Sequence, residues 1–147
     1  MITIDLAKKE YLDDIYEVEL DSFSIPWLKN DLEKDIFENA ISIYVVALAD
    51  GKVVGYAGMW HVVTEAHITN LAVSPDYRQQ GIASLLVESL IKIAEEKEMI
   101  GLTLECRISN TKAQLLYKKY GFQHEGLRKS YYSDTGEDAI IMWKHLS

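Results

Sequence analysis

Three places in the 147-residue sequence carry side chains suited to chemistry. The first is the turn Arg78-Gln79-Gln80-Gly81-Ile82-Ala83-Ser84, which opens a strongly amphipathic stretch. A turn feeding a helix N-terminus offers unpaired backbone N–H groups and the positive end of the helix dipole, so it attracts anions. Gly81 allows the backbone to approach such a group closely, small Ala83 does not obstruct it, and Arg78 adds positive charge. The second is Glu105, in the strand-like run Leu102–Arg107. Alternation there puts Leu102, Leu104 and Cys106 on one face and Thr103, Glu105 and Arg107 on the other. A partly desolvated carboxylate at that position would have a raised pKa and could collect a proton, directly or through water. An exposed glutamate, or one paired with Arg107, fits the same pattern. The third is Tyr117, whose phenol keeps its proton at neutral pH and could donate it. It also falls on a stripe with Ala113, Leu116 and Tyr120, where aromatic residues usually pack.

Around these lie weaker candidates. Glu19 precedes the string Ser22-Phe23-Ser24-Ile25-Pro26-Trp27 by one helical turn. It reads either as a receiver of an incoming ammonium or as a solvated helix glutamate. Tyr131 and Tyr132 offer flat area with a hydroxyl and could flank a peptide, or be ordinary hairpin residues. Asn110 is placed to cap a helix. His61, His67, His124 and His145 show no metal-ligand spacing and read as structural or surface residues. Cys106, the single cysteine, reads as buried and inert, and it excludes an internal disulfide.

The elements that must position these residues follow from periodicity. Ile2–Leu6 alternates as a short strand, and a helix runs from about Lys8 to Ser22 on Leu12, Ile15 and Val18. Ser24 and Pro26 suit the cap and first turn of a second helix carrying Leu28, Leu32 and Ile36 on one stripe. Ile43–Ala49 and Val53–His61 flank Asp50-Gly51, a hairpin signal. A strand over about 67–73 ends at Ser74-Pro75. Ile82, Leu85, Leu86, Leu90, Ile93 and Ala94 then give the long helix a wide apolar face. A strand over Leu102–Arg107, a helix from Asn110 to about Tyr120, and a final hairpin from Phe122 through Asp134-Thr135-Gly136 to Ala139–Trp143 complete the chain. The order β-α-α-β-β-β-α-β-α-β-β predicts one α/β domain over residues 1–147, with a mixed, mostly antiparallel sheet of about seven strands and four helices.

Composition narrows the function classes. The net charge of −8 opposes general nucleic-acid binding, which leans on lysine and arginine. With mean hydropathy of −0.07 and no long apolar run, no membrane span is expected. The N-terminus lacks a signal-peptide pattern, so a soluble cytoplasmic protein is expected, as a monomer or weak dimer.

The run Leu71-Ala72-Val73-Ser74-Pro75 followed by Arg78-Gln79-Gln80-Gly81-Ile82-Ala83 matches Arg/Gln-x-x-Gly-x-Gly/Ala and resembles the GCN5-related N-acetyltransferase (GNAT) superfamily. The element order resembles that superfamily too. The resemblance implies acetyl-CoA as co-substrate, with no metal. Arg78 to Ser84 would hold its diphosphate, Leu71, Ala72 and Val73 would meet the pantetheine arm and acetyl carbonyl, and Asn110 would contact the coenzyme. Further strings resemble the ribosomal-protein-alanine N-acetyltransferase branch: Ser22–Trp27, Leu104-Glu105-Cys106-Arg107-Ile108-Ser109-Asn110, Tyr120-Gly121-Phe122 and Arg128–Tyr132. Cys106 departs from it, where valine is commoner. That branch implies Glu105 as proton acceptor, Tyr117 as proton donor, and a small-subunit ribosomal protein's N-terminal α-amino group as acceptor. Glu19, Phe23, Pro26, Trp27, Tyr131 and Tyr132 would then face the acceptor. Two other outcomes remain open at this level: a superfamily enzyme for a small amine or lysine side chain, and an acyl-CoA-binding module without turnover.

Overall fold

The computed structural model describes residues 1–146. The strands are β1 (Ile2–Leu6), β2 (Ser42–Ala49), β3 (Lys52–Val62), β4 (Glu65–Val73), β5 (Gly101–Arg107), β6 (Gln123–Arg128) and β7 (Ala139–His145). The α-helices are α1 (Leu12–Ser22), α2 (Lys29–Phe37), α3 (Ile82–Glu96) and α4 (Thr111–Lys119). The strands form one sheet in the order β1-β2-β3-β4-β5-β7-β6. All neighbours are antiparallel except β4 and β5. The expected α/β class, strand number and helix number all hold.

The parallel pair is the feature that makes room for a site. β4 and β5 pair only over Glu65–His67 against Gly101–Thr103. Past that point β4 is bonded to β3 alone, and β5 to β7 alone. Between Gly58 and Met59 the register against β4 shifts, leaving Thr69 as an extra residue, and such a bulge bends its strand. Gly58 itself is needed because the Tyr44 ring occupies the space a Cβ would take.

Core packing follows the predicted faces. α3 buries Ile82, Leu86, Val87, Leu90 and Ala94 against one side of the sheet, together with Leu102, Leu104 and Cys106. α1 and α2 bury Ile15, Val18 and Leu32 against Tyr44, Val46 and Tyr56 on the other side. At roughly 1.5–3 kcal/mol for each fully buried aliphatic or aromatic side chain, these two layers dominate the favourable side of folding.

Three local expectations are corrected. The stretch before α1 is a single 3-10 turn, Lys9–Tyr11, not part of the α-helix. α2 starts at Lys29, so Ser24 is not its cap and Pro26 is not in its first turn. Leu28 stays extended and 70 % exposed, outside the stripe it was expected to share with Leu32 and Ile36. The reason is a competing bond: the Trp27 N–H donates to the Glu19 carboxylate at 2.9 Å, which holds the connection open. In the last hairpin the strands stop at Arg128 and Ala139, so Tyr131 and Tyr132 lie in a loop rather than on a strand.

Candidate active site

Two clefts flank the place where β4 and β5 part. The larger, about 580 Å³, lies between Leu71–Val73 of β4, the turn into α3, and the start of α4. Gly81 stands at the N-cap of α3 with φ of 78° and Gln79 also has positive φ, so the chain enters the helix through a left-handed turn that glycine adopts without strain. No side chain caps α3 and no acidic residue occupies its first turn, so its leading N–H groups face the cleft without partners from the helix. The Arg78 Nε–H donates to the Val73 carbonyl at 3.0 Å and folds the loop back against β4. Asn110 caps α4, its Oδ1 accepting from the Ala113 N–H at 3.1 Å, and also lines this cleft. Ser22 lines it as well, with a buried hydroxyl that has no partner among the described residues. An uncapped helix end, an arginine and an orphaned hydroxyl beside a strand edge suit a long ligand with a phosphate and amide groups. The fit to coenzyme A is good.

The smaller cleft, about 290 Å³, has Glu19, Phe23, Ser24, Ile25 and Trp27 on one wall, Tyr131, Tyr132 and Asp134 on another, and Thr69, Asn70 and Arg107 from the sheet. Phe23 borders both clefts. Glu19 is 1 % exposed, so the solvated reading is excluded. Its carboxylate accepts from the Trp27 N–H and from the Tyr56 hydroxyl, yet no cation among the described residues pairs with it. Burial, then the Glu19 charge, pushes the Tyr56 phenol far up, so it stays a donor. Arg107 does not meet Glu105. It forms a fork on Asp134 at 3.0 and 2.8 Å, reaches Glu137, and lies 4.0 Å over the Tyr132 ring. Ser24 donates to the same Asp134, which ties the α1–α2 connection to the β6–β7 loop.

Glu105 lies on β5 just past the last β4–β5 pair. Its Oε1 is 2.8 Å from His67 Nε2 and 3.4 Å from the Tyr131 hydroxyl, and Oε2 is 3.7 Å from Arg128 Nε. The expected upward pKa shift is overturned. The His67 hydrogen bond holds the carboxyl below the usual value of 4.5, outweighing the opposing effect of burial, and the charges of His67 and Arg128 add to it. Tyr117 is buried against Phe122, with ring centroids 5.4 Å apart, and the packing reading therefore holds for its ring. Burial first, then Cys106 and Tyr132, pushes its phenol well above the ordinary value. Tyr132 is pushed up to about 12, burial again leading. Cys106 is buried and its thiol pushed up to about 11, as an inert cysteine should be.

Residues 12–122 match the sequence model of the acetyltransferase (GNAT) family. The chain belongs to this family. A Bacillus subtilis relative, provisionally named a [ribosomal protein bS18]-alanine N-acetyltransferase, is 46 % identical over 91 % of this chain and 89 % of its own length. The Escherichia coli K12 [ribosomal protein bS18]-alanine N-acetyltransferase is 34 % identical over 97 % of this chain and 96 % of its own. The crystal structure of the ribosomal-protein-S18-alanine N-acetyltransferase from Escherichia coli superposes with a TM-score of 0.92 at 33 % identity, covering 100 % of this chain and 95 % of that one. At 22 % identity, a Thermoplasma acidophilum acetyltransferase in complex with coenzyme A shares the fold with a TM-score of 0.83.

On this GNAT fold the predicted residues separate into groups. Leu71, Ala72, Val73, Arg78, Gln79, Gly81, Ile82, Ala83, Ser84 and Asn110 all line the larger cleft, whereas Gln80 does not. Glu19, Phe23, Trp27, Tyr131 and Tyr132 line the smaller one, whereas Pro26 does not. Glu105 and Tyr117 line neither wall and do not touch each other. Glu105 reaches the smaller cleft through Tyr131, and Tyr117 is flanked on α4 by Ala113 and Leu116 of the larger. Sequence reasoning missed Asn70, Arg107, Asp134 and the contact of His67 with Glu105. Their partners are 26 to 38 positions away, beyond any local pattern. The one available signal was β4 itself, where a histidine two residues before Thr69 shares its sheet face.

Proposed function

We propose that this GNAT-family protein transfers the acetyl group of acetyl-CoA to the N-terminal α-amino group of a protein, an alanine of a small-subunit ribosomal protein, by direct attack with both substrates bound. Acetyl-CoA supplies an acetyl group activated as a thioester. The leading N–H groups of α3 and Arg78 hold the diphosphate, and the open side of Leu71–Val73 aligns the pantetheine arm. Glu19 receives the acceptor's ammonium, Glu105 takes its proton, directly or through a water beside Tyr131, and Tyr117 keeps a proton for the departing sulfur.

The observation that carries the choice of acceptor is the pair of carboxylates. Glu19 is a buried charge without a cation at the wall of the smaller cleft, and buried charges ordinarily require one. Glu105, held ionised by His67, is a weak base. A weak base suffices for an α-amino group, of which roughly a fifth to a third is neutral at pH 7.4. It does not for lysine, of which roughly a thousandth is neutral. The ammonium bound at Glu19 first sheds one proton to solvent, because only the neutral amine has the lone pair that attacks. The second proton passes to Glu105 once the C–N bond has formed and the nitrogen has become acidic. The phenol of Tyr117, kept protonated by burial, balances that loss by protonating the thiolate.

The test uses three acceptors with acetyl-CoA: an Ala-starting peptide with an internal lysine, the same peptide with its N-terminus blocked, and a free polyamine. Acetylation of only the first, on its α-nitrogen, is expected. Transfer to the blocked peptide or the polyamine at an equal rate would overturn the reading. Mass spectrometry of cellular protein N-termini with and without the gene then identifies the acceptor.

A further inference from the structure

His67 read from sequence as a structural or surface residue, and in the folded protein it makes the shortest contact to Glu105. We infer that His67 is the positioning residue for Glu105, donating its Nε2–H to Oε1 so that the carboxylate is held beside Tyr131 at the edge of the smaller cleft. This rests on Glu105 being the proton acceptor.

The geometry supports that role. His67 is the last β4 residue paired with β5, opposite Thr103, so backbone pairing fixes it two positions from Glu105 on the same face. Beyond it the strands part, and neither Glu105 nor any later residue of β5 has a β4 partner to hold it. The imidazole ring is itself held edge-on against Trp60, centroids 6.1 Å apart, and its side chain is 30 % exposed. Groups facing Glu105 come from three other elements: His67 on β4, Arg128 on β6 and Tyr131 in the following loop. Oε1 takes both close contacts, at 2.8 and 3.4 Å, while Oε2 has only the exposed Arg128 at 3.7 Å. The oxygen that His67 holds is thus also the one beside Tyr131 of the smaller cleft. The tautomer follows from the pairing, because an ionised carboxylate can only accept, so Nε2 must carry the hydrogen. No proton is transferred at His67 in this role. The proton moves from the acceptor nitrogen to the Glu105 carboxylate and later to solvent.

Two substitutions and one spectroscopic measurement test this. In His67→Ala the carboxyl of Glu105, followed by carbon-13 NMR in glutamate-labelled protein, is expected to titrate at higher pH than in the wild type, with kcat lowered by up to about 100-fold through lost orientation. KM for acetyl-CoA is expected to stay unchanged. His67→Gln retains an N–H donor and should restore most of kcat and of the titration. A Glu105 titration that does not move in His67→Ala, or a glutamine variant as impaired as the alanine one, overturns the proposal. Failure of the underlying reading looks different: Glu105→Gln would then retain wild-type kcat, whatever the His67 variants do.

Discussion

The two clefts are built from opposite kinds of material. The larger cleft is mostly one continuous stretch of chain, Leu71 to Ser84, with Asn110 and its helix closing it. Its working groups are backbone N–H and carbonyl edges, whose direction is dictated by a strand ending and a helix beginning. The smaller cleft is assembled from side chains on α1, the α1–α2 connection, β4, β5 and the β6–β7 loop. Its polar groups are oriented by one another: Glu19 by Trp27 and Tyr56, Arg107 by Asp134, and Asp134 by Ser24. A site made of backbone tolerates changes of side chain that leave the turn intact. A site made of mutually oriented side chains loses several contacts with each one removed.

Substitutions can break this contrast at graded strength. The largest effect is expected where proton transfer is lost. Glu105→Gln and Tyr117→Phe should each lower kcat by roughly 10²–10⁴-fold while leaving the Kd for acetyl-CoA within about twofold, measured by calorimetry beside steady-state rates. Equal loss of coenzyme binding in Tyr117→Phe would reduce that residue to packing. Next, Glu19→Gln keeps the size and the acceptor for the Trp27 N–H, with the Tyr56 hydroxyl turned to accept from the new amide, but removes the charge. KM for the peptide should rise by about tenfold or more, with KM for acetyl-CoA unchanged. The mirror case is Gly81→Val. No protein atom lies within 4 Å of the Cβ it would add, so the cost comes from the positive φ, about 1–2 kcal/mol, and from crowding the ligand. KM for acetyl-CoA should rise about tenfold and that for the peptide should not.

Smaller effects test the frame around the clefts. Asn110→Ala removes the cap of α4 and should cost about 1 kcal/mol, read as a lowered Tm that added acetyl-CoA only partly restores. The pH dependence of stability has a definite sign. Glu105 is depressed below 4.5 in the folded protein, so its contribution is fully present above that value and disappears as pH falls through the lower folded value. Chemical denaturation between pH 6 and 3 should show wild-type stability falling more steeply than that of Glu105→Gln. Parallel curves would mean that the His67 contact is not made in solution.

The turn into α3 was legible because everything it needs is local. Gly81 takes a positive φ, Ile82 begins the helix, and both can be read from a dozen adjacent residues. Strand alternation likewise placed Leu102, Leu104 and Cys106 inside and left Glu105 on the other face. The start of α2 was not legible, because the bond from Trp27 to Glu19 spans eight residues and overrides the local preference of Ser24 and Pro26 for opening a helix. The direction of the Glu105 shift was missed for a related reason. Alternation reveals that a side chain is half-buried, but says nothing about which donor faces it across the sheet.

The sequence by itself determined the order of elements and the faces they bury, since these depend on periodicity, and the left-handed turn into α3 and the family resemblance, since these rest on adjacent residues. Only the tertiary structure decided that Glu19 is a buried carboxyl group with no cation beside it among the described residues, that Arg107 serves Asp134 rather than Glu105, and that His67 contacts Glu105. Those facts depend on where the parallel pair of strands separates, and strand separation is a property of the whole sheet.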